Sequence, residues 1–167
     1  MMIHFKIASP LLATVQADLH RRHAFASERV GFIAAAMSWA AAELILVAYD
    51  YHPVADEDYL DDPSVGAMMG PEAIRKALQV SMNDDCATFH VHTHGGRGVP
   101  GFSPVDLREN DKFVPGFFKV TPQRPHGAVV LSNTAARGAV WLRKNDRPAP
   151  IDKFSVVGSP LRIWSVK

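Results

Sequence analysis

The stretch that most constrains this chain is GFIAAAMSWAAAELILVAY, residues 31–49, in which Glu43 is the single charged side chain. Its length approaches the roughly 20 apolar residues that a membrane-spanning helix needs. An acid at the centre of such a helix costs about 2.5–3.5 kcal/mol, and the β-rich ELILVAYDY end does not suit one continuous helix. The sequence therefore predicts two buried strands, ERVGFIAA and ELILVAYDY, joined through AMSWAA, and no membrane association.

With 167 residues, 47% of them hydrophobic, the chain falls in the size range of one globular domain and can bury a real core, so residues 1–167 are expected to form a single domain. Eighteen Lys and Arg against seventeen Asp and Glu leave a formal charge of +1, which gives no field favouring nucleic acid or an anionic membrane. Binding must come from local chemistry. The single cysteine, Cys86, excludes an internal disulfide framework, and the start MMIHFKIASPLL has no basic head followed by an apolar signal segment, so a cytoplasmic location is expected.

Along the chain, MIHFKI reads as a short strand, and SPLLATVQADLHRRHA as an amphipathic helix with Ser9 as its cap, Pro10 at the first helical position and Leu11, Val15 and Leu19 at helical spacing. Arg21, Arg22 and His23 fall at its end, where cations suit the negative pole of the helix dipole. DYHPVADEDYLDDPSVGAMMG is acidic, broken by Pro and Gly, and lacks the Asp-x-Asp-x-Asp-Gly spacing of a calcium loop; a solvated surface segment is expected. GPEAIRKALQVSM gives a second helix with Ile74, Leu78 and Met82 on one face. CATFHVHTH, GAVVLS, GAVWLRK, FSVVG and LRIWSVK read as further strands, with a helix from Ser103 between the first two. The order implies an α/β (α+β) fold whose mainly antiparallel sheet is flanked by two or three helices.

On a strand, alternate side chains share a face, so Cys86, His90, His92 and His94 are expected to point the same way. At a rise of about 3.3 Å per residue, positions two apart lie near 6.6 Å and positions four apart near 13 Å. Only neighbours in that series can share one tetrahedral zinc, whose nitrogens sit at about 2.0–2.1 Å: His90 with His92, or His92 with His94. The same spacing keeps Cys86 away from both pairs as a co-ligand, and leaves it as a small buried apolar residue. Ser103-Pro104-Val105-Asp106 is a good helix start, and the eight residues between His94 and Ser103, four of them glycine, let the chain fold back so that Asp106 supplies a carboxylate. Two imidazoles and one carboxylate leave a fourth position open, the layout of a catalytic rather than a structural zinc site.

These residues resemble the JAMM (MPN-plus) metallopeptidase family, whose pattern is Glu-x-x-Gly-hydrophobic, then His-x-His, about seven residues, and Ser-x-x-Asp. ERVGFIAA is similar to the first element, HTH to the second and SPVD to the third. The resemblance implies Glu28 as general acid/base, His92, His94 and Asp106 as ligands of one Zn2+, and Ser103 as the hydroxyl that steadies an oxyanion. It implies a curved-sheet sandwich of the JAMM and cytidine-deaminase type, and cleavage of an amide or isopeptide bond at the C-terminus of a ubiquitin-like or sulfur-carrier protein, with conjugation-system enzymes as partners. Gly95 stands where the family usually has Pro, and the loop before Ser103 is one residue longer, a change that loop closure tolerates easily. The longer gap that His90 would create favours His92 and His94 as the ligand pair and leaves His90 a packing or supporting role. Glu43 is a rival to Glu28, and Arg97 is expected to be an exposed solubilising residue at the rim. Two other readings are a non-catalytic MPN-type scaffold that binds a protein, and a RadC-type relative associated with DNA repair, to which the near-neutral charge lends no support.

Overall fold

In this computed structural model, residues 1–165 are described. The elements run β1 Met2–Ala8, α1 Ser9–Leu19, β2 Val30–Ala40, β3 Glu43–Pro53, a 3-10 turn at Asp56–Asp58, β4 Tyr59–Leu60, β5 Met68–Met69, α2 Pro71–Asp84, β6 Ala87–Thr93, α3 Pro104–Phe117, β7 His126–Leu131, β8 Ala136–Trp141, β9 Ala149–Pro150, β10 Lys153–Val157 and β11 Arg162–Ser165. Nine strands form one curled sheet in the order β11-β10-β1-β3-β2-β6-β7-β8-β9, and β4 pairs with β5 apart from it. Within the large sheet β1 runs parallel to β10 and β3, β6 runs parallel to β7, and the other five pairings are antiparallel. The result is a mixed α/β architecture with three helices, as the element order implied.

The apolar run of residues 31–49 is a β-hairpin. Its turn falls at Ala41 and Ala42, at the very end of AMSWAA, because β2 continues through Ala40 and Ala41 takes φ 52° to reverse the chain. A register shift between Ala34 and Ala35 marks a bulge, which increases local twist. Among the described residues, no helix is long and apolar enough to cross a membrane.

Helix α1 lays Leu12, Val15 and Leu19 on the sheet, each buried to 4% exposure or less and contributing about 2 kcal/mol by removal from water. They join Ile3, Phe5, Leu44, Leu46, Phe89, Val91 and Val129 in the main core. A second core of Val30, Phe32, Val54, Tyr59, Ala73, Ala77 and Phe117 fills the space between β2 and helices α2 and α3. With cores on both sides, every residue of β6 is buried. At the other end of the hairpin, His4 lies 3.0 Å from Glu43 and 2.7 Å from the Ser155 hydroxyl, a polar stitch across β3, β1 and β10.

Several local expectations are corrected. Ser9 does not cap α1: Ala8 occupies the cap position without a side-chain hydrogen bond, and Ser9 is already helical. The helix closes at Leu19, so Arg21, Arg22 and His23 lie beyond its last turn and do not answer its dipole. Strand β2 begins at Val30, leaving Glu28 in the preceding bend. Met82 is 51% exposed; α2 turns Ala73, Ala77 and Ser81 inward instead. Residues 54–69 are not a solvated segment, because Val54, Asp58 and Tyr59 are buried and the β4–β5 pair folds back onto the molecule. Cys86 is buried as expected, but it and His94 fall just outside β6. The C-terminal strand occupies Arg162–Ser165; Val166 and Lys167 lie outside the described residues.

His126 sits between the rings of Phe117 and Phe118, at centroid distances of 5.4 and 4.7 Å. The Thr88 N–H donates to its Nδ1, and its Nε2 reaches the Thr121 carbonyl at 3.1 Å. Burial pushes its pKa down to about 4, against the Thr121 bond, which favours the proton. The folded state thus holds the neutral ring while the unfolded chain protonates near the usual 6.5, so this stability is present above about pH 6.5 and is lost as pH falls toward 4. Between pH 7 and 5 the loss attributable to His126 is about 2 kcal/mol. The difference between wild type and His126→Gln in urea unfolding at the two pH values measures it, and the variant is expected to show the shallower decline.

Candidate metal centre

The site begins with the pairing of β2 and β6, which sets Val30 opposite His92. His92 is 1% exposed at the C-terminal end of β6. The next residues are held by the end of β7: the Thr93 hydroxyl and the His94 N–H both donate to the Leu131 carbonyl, and the Gly95 N–H donates to Thr93 Oγ1. Gly95, Gly96 and Gly98 all take positive φ, between 62° and 84°, a conformation that disfavours other side chains; this is how the chain reverses after His94. The reversed loop is tied to the following turn by the Asn133 N–H on the Gly96 carbonyl and the Ser132 hydroxyl on the Gly98 carbonyl.

The loop delivers α3, which opens with a full capping box. The Ser103 N–H donates to Asp106 Oδ2 at 2.6 Å, and the Asp106 N–H donates to Ser103 Oγ at 3.1 Å. The Asp106 carboxylate is thereby turned toward the histidines. His92 Nε2 and His94 Nε2 stand 3.1 Å apart, Asp106 Oδ1 lies 3.3 Å from the first and Oδ2 lies 3.4 Å from the second. One ligand atom from each of the three side chains lies within 4.8 Å of the others, close enough to converge on one zinc with bonds of about 2.0–2.1 Å. Two imidazole nitrogens and a carboxylate also suit zinc by donor type. Burial by itself would push the Asp106 carboxyl up; the approach of His92 and the bonds from Ser103 outweigh it and hold the group well below the usual carboxylate range.

Glu28 is half-buried in the bend before β2, and its N–H donates to the Gly66 carbonyl at 3.0 Å. Its side chain lines two spaces. One is a cavity of about 170 Å3 shared with His90, His92, Asp106, Asn110 and Phe113; the other is a cleft of about 550 Å3 shared with His94, Gly95 and residues 19–23. The five residues singled out in the sequence, Glu28, His92, His94, Ser103 and Asp106, thus gather where β6, the glycine loop, the start of α3 and the bend before β2 meet. Glu43 does not take part: it pairs with Ala40, ten positions along β2 from Val30 and about 33 Å away at strand rise. His90 is buried, stacks on His92 at 5.5 Å and meets Phe113 edge-on; burial lowers its pKa to about 3.

Sequence reasoning missed one wall and one support of the site. Gly66 packs directly on Glu28: a Cβ there would stand 2.7 Å from the carboxyl carbon, and Ala67, Met68 and Met69 line the inner cavity. The signal available was Tyr59 and the Met68-Met69 pair, apolar residues inside an otherwise acidic segment. The second missed residue is Arg29, which lines neither space but supports the residues that do: it is 1% exposed and donates to the carbonyls of Arg21 and Arg22 and to Asp56 Oδ1 at 2.7 Å. Nothing local marks it, since an arginine beside a strand is ordinarily exposed.

No protein-family model and no curated protein matches this sequence. Among solved structures the chain is similar to the STIL N-terminal domain of Trichoplax adhaerens, with a TM-score of 0.39 and 10% identity over 80% of this chain and 40% of that one. The chain spans less than half the length of that structure, and a likeness at this level bears on neither the fold nor the chemistry.

Because Ser103 closes the first turn of α3, Ser103→Ala is expected to lower the unfolding free energy by about 1 kcal/mol, and Ser103→Asp to restore most of it. Chemical denaturation of the three proteins in the presence of a chelator reads the cap alone.

Proposed function

We propose that the chain is a zinc-dependent hydrolase of the JAMM type that cleaves an amide or isopeptide bond. One observation carries the proposal: three donor groups clustered closely enough to hold one ion, His92, His94 and Asp106, adjoin spaces that Glu28 also lines. A zinc ion held by those three side chains supplies Lewis acidity toward a carbonyl and toward water. Glu28 takes a proton from the attacking water as its oxygen bonds to the carbonyl carbon. The carbon–nitrogen bond then breaks as Glu28 returns that proton to the departing amine. Ser103 Oγ already accepts from the Asp106 N–H, which leaves its own proton free to donate to the oxyanion. No covalent enzyme intermediate is needed. The JAMM-type sandwich and a ubiquitin-like or sulfur-carrier substrate are carried by the sequence resemblance alone, and a cytoplasmic setting by the single cysteine and the lack of a signal-like start.

Purified protein is expected to hold close to one zinc per chain by elemental analysis, and His92→Ala to lose it. Glu28→Gln is expected to keep the metal yet cut ubiquitin-like fusions with C-terminal extensions about 10²–10⁴-fold more slowly. Cleavage at the wild-type rate by Glu28→Gln refutes the mechanism, and a protein that holds no zinc favours the protein-binding scaffold. Gly66→Ala pushes against the Glu28 carboxyl rather than the metal, so it is expected to reduce kcat at least tenfold with zinc content and Tm unchanged.

A further inference from the structure

The basic cluster after α1 has no role in the chemistry above, and the helix dipole does not account for it. His20, Arg21, Arg22 and His23 line the 550 Å3 cleft together with Thr93, His94, Gly95 and Glu28. Glu28 is the one carboxylate among these lining residues, against two guanidinium groups. The four residues are not a loose surface run. Arg29 fixes the backbone by bonding to the Arg21 and Arg22 carbonyls. His23 is held too, its Nδ1 accepting from the Phe25 and Ala26 N–H groups and its Nε2 lying 3.2 Å from the Asp56 carbonyl. Arg21 is engaged at 2.9 Å by Asp18 and at 3.6 Å by Asp56. Arg22 is exposed, and among the described residues it makes no ion pair. Arg22 is thus a cation on a backbone clamped by a buried arginine, in a cleft that also meets His94, with no carboxylate of its own.

We propose that this cleft reads an acidic side chain of the substrate polypeptide, a few residues from the bond that is cut, with Arg22 as the contacting residue and Arg21 beside it. The inference rests on the hydrolase reading only for what happens to the bound chain. A discrete carboxylate suits the cleft better than a nucleic-acid backbone. Asp18 and Asp56 flank the arginines, and Glu57, Asp61 and Asp62 follow nearby in sequence, so a continuous line of phosphates would meet like charge on leaving the cleft. A single acid on a flexible peptide can meet Arg22 and avoid them.

The test uses full-length Glu28→Gln protein, zinc-loaded and metal-stripped, with fluorescence anisotropy of a short labelled peptide bearing glutamates, its glutamine twin, and a single-stranded oligothymidylate. The glutamate peptide is expected to bind about tenfold tighter than its twin, to weaken with added salt, to lose about tenfold in Arg22→Gln and to keep most of its affinity in Arg22→Lys. Arg22→Gln leaves the carbonyl that Arg29 holds, and its unchanged Tm checks the fold. Equal binding of the two peptides, no binding of either, no effect of Arg22→Gln, or tighter binding of the oligothymidylate overturns the proposal. An Arg22-dependent preference in a protein that holds no zinc leaves the cleft assignment standing and removes the hydrolase. Wild-type protein that binds zinc and cleaves its fusions, alongside Glu28→Gln protein that shows no preference for acid, removes the cleft assignment alone.

Discussion

The antiparallel register that sets Val30 against His92 is the constraint on which the rest of the molecule depends. It places the bend before β2, and with it Glu28, at the end of β6 where the paired histidines emerge. A shift of one residue would turn His92 to the other face of a strand that is buried on both sides, where Val91 and Thr93 now point. The two cores on either side of β6 hold that register: the main core contains Phe89 and Val91 and would not accept an imidazole pair in their place, while His90 already packs against Phe32 and Phe113 on the opposite face.

Around this register the chain closes the site with side chains far from the histidines. The buried guanidinium of Arg29 joins three segments, the residues after α1, the 3-10 turn at Asp56–Asp58 and the strand start beside Glu28. Tyr59 adds to the same junction: its ring lies under Arg29 and its hydroxyl exchanges hydrogen bonds with the Val30 N–H and carbonyl. The bends on either side of Glu28 are therefore tied to a buried charge whose partners are mostly backbone carbonyls, which cannot titrate away.

The sequence made the local parts of this arrangement legible. His92 and His94 are set by strand alternation, the Ser103–Asp106 pair by the chemistry of a helix start, and the reversal between them by glycines that take positive φ. The hairpin in residues 31–49 followed from its apolar length and Glu43. What required long-range pairing was not legible. That Glu28 faces His92 and not Glu43 follows from the β2–β6 register, and the sequence could reach it only through the resemblance to a family pattern. The acidic composition of residues 50–62 hid the buried Tyr59 and Asp58 and the pair of methionines beyond them. The basic residues after α1 were misread because the helix stops one turn early, where His20 caps it, and a dipole argument fails once the cations leave the last turn.

Asp106 has one oxygen committed to the backbone of its own helix and the other directed at His92. Its rotamer is therefore fixed by the first turn of α3 before any ion arrives, so capture of an ion would forfeit little side-chain freedom at that ligand. The same commitment ties the two events together. Fraying of the first turn of α3 withdraws one ligand from the two imidazoles, and an ion bound by all three would in turn staple α3 to the end of β6, joining the glycine loop, the helix and the sheet edge into one cooperative unit.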